Sequence, residues 1–224
     1  MKTELILGLL LLATILPAQT ITTNSYNYTT PGLVPDNNPS GWATTFTVSG
    51  LGGAITNIQV ALDITGGFNG DLYAYLLGPT GQMAVLLNRV GISGSQPYGY
   101  SDAGFNIVLD GAALNSISSY QGVTNPLGGA VTGTWAADGR NVNPQASGAV
   151  IFGTSATLGL NNFDGTDANG VWTVFIADLS PGGQSTIQSV ILTIMTVPEP
   201  SPWALFALGG LALLLVQGQR LRKI

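Results

Sequence analysis

In four segments of this 224-residue chain every second residue is apolar: 57–64, 71–76, 172–177 and 189–194. That two-residue period places these apolar side chains on one face of a β-strand and the residues between them on the other. Glycine-rich turns separate the segments, and no stretch within residues 19–196 shows a helical period. The pattern predicts an all-β sandwich or barrel, and tight turns between neighbouring strands predict antiparallel sheets.

An apolar run near the N-terminus predicts an export signal. Lys2 precedes apolar residues 5–16, and Ala18 ends the segment. A basic residue, an apolar stretch and a small residue, in this order, are typical of a secretory signal peptide over residues 1–18. We therefore expect a helical leader that is removed after export.

The segment between residues 19 and 196 is acidic and free of cysteine. It holds nine aspartates and two arginines, with no Glu, Lys or His, which gives a net charge of −7. This charge argues against a nucleic-acid partner. The length is sufficient for one domain with its own core. Within it, the Gly-, Asn- and Ser-rich residues 93–160 are predicted to form a long insertion whose strands the sequence does not locate.

The residue types of the chain exclude several kinds of catalysis. His and Cys are absent, which removes the commonest general base, the thiol nucleophile and any Ser–His pair. Two aspartates could still serve a glycoside hydrolase. Because aspartates beside glycine more often shape turns or bind calcium, we expect a protein that is not an enzyme.

Calcium is the one cofactor that these residue types favour, since hard cations take carboxylate and carbonyl oxygens. The candidate ligands are Asp63, Asp71 and Asp178, which lie at the ends of predicted strands. The alternative for each is a turn residue whose side chain bonds nearby backbone N–H groups. A bound calcium would be structural.

Tyrosines on one face of a strand suggest a second kind of site. Tyr73 and Tyr75 point to the same side of a predicted strand, and Tyr98 and Tyr100 are spaced in the same way. A tyrosine ring offers a flat apolar face and a polar tip, which suits sugars. Tyr73 and Tyr75 are therefore candidate glycan-facing residues. The alternative is that these rings pack beneath residues 93–160.

Residues 197–224 combine a proline-containing motif, an apolar run and a basic end. The prolines keep the motif out of a helix, whereas Leu and Ala favour a helix over residues 203–216. Arg220, Arg222 and Lys223 should stay on the cytoplasmic side of a membrane. The motif itself is Val197, Pro198, Glu199, Pro200 and Ser201.

This order of motif, helix and cations resembles the PEP-CTERM sorting signal of Gram-negative bacteria. The resemblance implies an anchored intermediate in the inner membrane, cleavage by exosortase, and deposition at the cell surface or in the extracellular matrix. It also implies an association with exopolysaccharide. The alternative is an ordinary C-terminal membrane anchor.

Two blocks resemble the P domain of proprotein convertases. Residues 70–81 carry its Gly-Asp-Leu entry to a strand and its proline turn, and residues 170–178 carry its Gly-x-Trp strand and the following Asp. The resemblance covers roughly residues 50–92 and 160–196 and implies a jelly-roll β-sandwich. It places Asp71 and Asp178 at motif positions. A fold implies no activity by itself.

We therefore expect an exported, non-catalytic β-sandwich, handled by the export machinery and by exosortase, that associates with exopolysaccharide. A rival hypothesis is a carbohydrate-binding module that grips the polysaccharide through Tyr73 and Tyr75. A glycoside hydrolase that uses two aspartates is the third.

Overall fold

Two β-sheets and the core between them make up the computed structural model, which describes residues 20–198. One α-helix, α1 (Gly148–Gly153), and three short 3-10 helices (Asn69–Asp71, Ile117–Gly122 and Leu160–Phe163) connect the strands of this part of the chain. The strands are β1 (Thr22–Tyr28), β2 (Gly32–Leu33), β3 (Asn38–Val48), β4 (Ala54–Gly66), β5 (Leu72–Leu77), β6 (Met83–Asn88), β7 (Phe105–Asp110), β8 (Val131–Trp135), β9 (Gly170–Asp178) and β10 (Ser185–Val197). The all-β class predicted from the sequence is confirmed.

The first sheet has the strand order β1-β10-β4-β7-β8, with β2 also paired to β10. Its centre is the long antiparallel pair β4 and β10, in which Leu62 lies opposite Val190 and Val60 opposite Leu192. Four alternating residues of the segment 57–64 are completely buried: Ile58, Val60, Leu62 and Ile64. The two-residue period therefore identified the inward face of this strand correctly.

The second sheet has the order β3-β9-β5-β6. Strand β9 lies between β3 and β5, so that Trp172 faces Phe46 across one pair and Val174 faces Leu76 across the other. Trp172 is fully buried, its ring lies 4.9 Å from that of Phe163, and its Nε1 donates to a backbone carbonyl oxygen at 2.8 Å. The period of the segment 172–177 predicts that Trp172 shares a face with Val174 and Ile176, and all three are buried.

The expectation of wholly antiparallel sheets is wrong at one pair. Strands β7 and β8 run parallel, from Phe105 opposite Val131 to Leu109 opposite Trp135. A tight turn can join only antiparallel strands, but the 20 residues 111–130 that connect this pair are long enough for a crossover. Both strands come from residues 93–160, so this segment completes the first sheet.

Most of the predicted targeting segments lie beyond the described part of the chain. The predicted signal peptide (residues 1–18), the predicted apolar helix and the basic end lie outside the described residues. Within residues 20–198, no helix is both long enough and apolar enough to cross a membrane. Strand β10 continues to Val197, the first residue of the sorting motif, which pairs with Ala54. The motif therefore begins on the sheet itself.

Candidate functional site

Two of the three predicted calcium ligands meet at one end of the second sheet. Asp71 ends the 3-10 helix that leads into β5, and Asp178 is the last residue of β9. The antiparallel pairing sets Asp178 opposite Leu72, next to Asp71 in the chain. Asp63 lies instead in β4 of the first sheet, between buried Leu62 and Ile64. Alternation turns its side chain away from the core, so it does not join the other two.

The environment of Asp71 is acidic and largely dry. Burial, and then the nearby charges of Asp178 and Asp36, raise the pKa of Asp71 from 3.8 to about 6. A hydrogen bond with Ser180 and the charge of Arg89 act in the opposite direction. Arg89 donates from Nη2 to Ser180 Oγ at 2.9 Å and from Nε to a backbone carbonyl oxygen at 3.3 Å. Arg89 therefore lies near two carboxyl groups, those of Asp71 and Asp178.

Asp178 has an unsatisfied oxygen in this environment. Its Oδ1 accepts from the backbone N–H of Ser180 at 3.1 Å, while its Oδ2 is buried without a hydrogen-bond partner. Burial raises the pKa of Asp178 above its ordinary value. A buried acceptor without a partner is costly, and a proton or a cation would satisfy it.

The metal prediction rests on these two carboxylates alone. Between residues 20 and 198, no group of three or more His, Cys, Asp or Glu side chains is placed to hold a metal ion. A calcium ion at Asp71 and Asp178 would need backbone carbonyl oxygens and water for most of its six to eight ligands.

Asp71 also lines a surface pocket of about 270 Å³, which we call the Asp71 pocket. The side chain of Tyr98 stands at its rim with 76% of its surface exposed, and Phe68 is 40% exposed. The remaining walls are Gly99, Tyr100, Ser101, Ser180 and Pro181. A carboxyl group thus lies in a small cleft bordered by two exposed aromatic rings.

Backbone hydrogen bonds hold this pocket together. The loop that carries Tyr98 lies on the turn before β5, where the N–H of Gly70 donates to the carbonyl oxygen of Tyr100 at 2.9 Å. The backbone N–H of Asn69 likewise donates to the carbonyl oxygen of Asp102 at 2.9 Å. Gly99 has φ +71°, and a Cβ atom there would lie 2.8 Å from the Cα of Gly70. Only glycine allows the two segments to approach this closely.

A second group of buried polar residues anchors the same loop. Asp102 accepts from the hydroxyl of Tyr120 at 2.8 Å, from Gln121 at 2.6 Å and from the backbone N–H of Gly128 at 2.7 Å. Burial alone would raise the pKa of Asp102, but these hydrogen bonds outweigh it and hold the pKa below its ordinary value. Asp102 therefore stabilises the loop and its carboxylate is already saturated.

The predicted glycan-facing tyrosines lie elsewhere. Tyr73 and Tyr75 occupy the outer face of β5 and are half-buried. Tyr75 stacks on Phe175 of β9 with ring centroids 4.9 Å apart, and Tyr73 is tilted against Tyr75 at 6.1 Å. Burial, and then Tyr75, raise the pKa of Tyr73. The three rings pack on one another, so they offer less free ring surface than Tyr98 does.

Sequence reasoning did not select Phe68 or Tyr98 as site residues. The available signal was the pair of tyrosines around Gly99, because a glycine between two aromatic residues suggests a close backbone approach. The partner of that approach, Gly70, lies in a distant part of the sequence.

Comparison with known proteins gave structural similarities only. No family model and no curated protein matches the chain. A chain in the crystal structure of the Aeromonas sobria serine protease with its chaperone has a TM-score of 0.46 and 15% identity, covering 85% of this chain. The crystal structure of the same serine protease has a TM-score of 0.45 and 14% identity, covering 84% of this chain. This chain spans 29% of the length of either matched chain.

Proposed function

We propose that this protein is an exported, non-catalytic β-sandwich of the cell surface or extracellular matrix, and that it binds exopolysaccharide through the Asp71 pocket. The observation that carries the proposal is the combination of a carboxyl group, Asp71, with exposed rings of Phe68 and Tyr98 in one cleft. Sugar rings present C–H faces that pack on aromatic rings and hydroxyl groups that donate to carboxylates. The cleft offers both kinds of contact.

This site replaces the tyrosine pair in the carbohydrate-binding hypothesis. Tyr75 is already stacked on Phe175, whereas most of the surface of Tyr98 is exposed to solvent. Binding of a sugar to Tyr98 would bury apolar surface that is now in water, which is favourable. A sugar at Tyr73 and Tyr75 would bury less apolar surface.

The absence of catalysis is part of the proposal. A glycoside hydrolase places two carboxyl groups on either side of the bond that it cleaves. Asp71 lines the pocket, but its neighbour Asp178 is fully buried and does not line it. A bound sugar would therefore meet one carboxyl group.

We also propose the sorting route and the finer fold that the resemblances imply. Exosortase would cleave at the motif that begins with Val197, after transient anchoring in the inner membrane. The start of this motif on β10 supports a cleavage site directly beside the domain. The sandwich would be a jelly roll of the P-domain type; in support, its two motif blocks fall on the paired strands β5 and β9.

One measurement tests the sorting route. Intact mass of the protein from its native host should show that both ends are missing. A mass that retains residues 203–224 in envelope fractions would contradict exosortase processing and would indicate a plain anchor.

Binding to the exopolysaccharide of the producing bacterium tests the function. Tyr98→Ala should weaken binding by at least about tenfold, or about 1.4 kcal/mol, while the Tyr73→Ala/Tyr75→Ala double variant should bind nearly as well as wild type. Because Tyr98 is exposed, its removal should leave the folding stability almost unchanged. Release of new reducing ends during the binding assay would show that the protein is a hydrolase.

A further inference from the structure

A second and larger pocket, of about 480 Å³, adjoins the Asp71 pocket. Four segments form it: the loop after β6, the 3-10 helix Ile117–Gly122 with the serine before it, residues 138–140 after β8, and helix α1 with the residues that follow. We call it the serine-lined pocket. Its volume lies within the range of about 300–1,000 Å³ that is usual for sites of small ligands.

Hydroxyl groups dominate the walls of this pocket. They belong to Ser93, Ser95, Ser116, Ser118, Ser119 and Thr154. The side chains of Ser116 and Ser118 are 2.9 Å apart, and those of Ser93 and Ser95 are 3.2 Å apart. Each hydroxyl group both donates and accepts hydrogen bonds. This wall is therefore suited to a ligand that also carries many hydroxyl groups.

The floor of the pocket carries no net charge. Arg140 and Asp138 both line it, and the guanidinium donates to both carboxylate oxygens at 2.6 Å. A paired guanidinium and carboxylate cancel each other, so the pocket has no unpaired charge to attract an ion. Phe152 adds an exposed aromatic ring, with 67% of its surface in water. Hydroxyl groups, neutrality and one free ring together favour a neutral sugar.

Tyr100 is the wall that the two pockets share. Its ring lies edge-on to that of Tyr120 with centroids 4.7 Å apart, and it also lies against Gly91. Gly91 has φ +77°, and a Cβ atom there would overlap the tyrosine ring. The N–H of Tyr100 donates to the carbonyl oxygen of Val90 at 3.0 Å. The shared wall is thus fixed on several sides.

We propose that the serine-lined pocket is a second subsite for the same polysaccharide, so that the protein binds a neutral stretch of several sugar units across Tyr100. This inference rests on the proposed function and goes beyond it, because it names the ligand as the interior of a neutral chain. One pocket takes a sugar against Asp71 and Tyr98. The other takes the sugars that follow, against the serine hydroxyl groups and Phe152.

Calorimetric titration of the full chain, purified in a mild detergent, tests this subsite. The ligands are oligosaccharides released by mild acid from the exopolysaccharide of the producing bacterium. They are separated by size into fractions of about two to eight sugars, a length range that brackets one and both pockets, and by ion exchange into neutral and acidic pools. The affinity for the neutral pool should rise at least about tenfold from the shortest to the longest fraction.

Variants test whether the rise in affinity with oligosaccharide length depends on the serine-lined pocket. Phe152→Ala and Ser119→Ala change exposed side chains, and each should reduce the gain in affinity with oligosaccharide length. The matched control is Ile21→Ala, an exposed apolar residue before β1, at the opposite edge of the first sheet from β8. Its titrations should equal those of wild type.

The outcomes separate the two proposals. An affinity that is independent of length and is lost only in Tyr98→Ala would overturn the second subsite and leave the Asp71 pocket in place. A gain with length that survives Phe152→Ala and Ser119→Ala would also overturn it, as would preference for the acidic pool. Failure of every fraction to bind would overturn the proposed function itself.

Discussion

Arg140 donates hydrogen bonds to both carboxylate oxygens of Asp138, from Nε to Oδ1 and from Nη2 to Oδ2, each at 2.6 Å. Both side chains are buried. The same guanidinium donates to the carbonyl oxygens of Asn88 at 2.9 Å and Ile151 at 3.3 Å. The pair therefore fastens the end of β6 to helix α1, and with it the floor of the serine-lined pocket.

Removal of one member of this pair should be far more harmful than removal of both. Arg140→Leu leaves the Asp138 carboxylate buried and unpaired, which typically costs about 3–5 kcal/mol of unfolding free energy. The double variant Asp138→Leu/Arg140→Leu should be less destabilised than Arg140→Leu alone. Denaturant titration of the three proteins measures this. Equal or greater destabilisation in the double variant would show that the residual charge is not the cause.

Trp172 should carry a large share of the stability of the core. Trp172→Ala removes a fully buried ring and should cost about 3–5 kcal/mol, against roughly 5–15 for a whole domain. The neighbouring Val171 is 53% exposed, so Val171→Ala is the matched control and should change stability by about 0.5 kcal/mol or less. A loss below about 1 kcal/mol in Trp172→Ala would contradict the inward orientation of β9.

Calcium, if it binds, should stabilise the fold through Asp71 and Asp178. At a hundredfold excess over Kd, a ligand that binds only the folded state adds about 2.7 kcal/mol, or a rise of several degrees in Tm. Asp71→Asn should reduce the difference in Tm between calcium and chelator. Asp63→Asn is the control, since Asp63 lies in the other sheet, and it should keep the full difference. Equal melting of wild type in calcium and in chelator would mean that these aspartates bind no calcium.

The raised pKa of Asp71 predicts a stability that falls as the pH rises. The folded state holds the Asp71 proton to about pH 6, whereas the unfolded chain releases it near 3.8. The contribution to stability is therefore complete below the lower value and is lost as the pH rises through the higher one. The shift at Asp178 acts in the same direction. In chelator, Tm should fall between about pH 4 and 6.

Asp71→Asn isolates this effect, because it removes the titrating group while the neighbouring Asp178, Asp36 and Arg89 remain. Its Tm should fall less over the same range, and near neutral pH it should melt above wild type in chelator. An identical fall in both proteins would assign the pH dependence to other groups.

The strands of this fold could be predicted because their signal is local. Residues 57–64 became part of β4, and residues 172–177 part of β9, with the predicted faces buried. A two-residue period depends only on the pleat of one strand. The parallel pair β7 and β8 could not be predicted, because pairing partners are chosen by the whole topology.

In the candidate site, too, the local features could be predicted from the sequence and the long-range contacts could not. The sequence selected Asp71 and Asp178 as candidates because they fall on motif positions. The pairing of β5 with β9 brings them to one end of the second sheet. The pocket itself was missed, because the loop of Tyr98 is brought to Asp71 by contacts between distant segments, such as the hydrogen bond between Gly70 and Tyr100. No local period reports such a contact. Asp63 was included because it lies near the end of an alternating segment, which gives no information about its distance from Asp71 and Asp178.

Residue-by-residue mapping of the bound sugar tests the central claim most directly. Amide spectra of the isotope-labelled full chain would be recorded during titration with neutral oligosaccharides from the exopolysaccharide of the producing bacterium. The account predicts that the amide signals of residues 68–71, 98–101 and Ser180 shift together and saturate, and that those of β5 around Tyr73 and Tyr75 stay in place. Shifts confined to β5, or no shifts at any concentration, would contradict glycan binding in the Asp71 pocket.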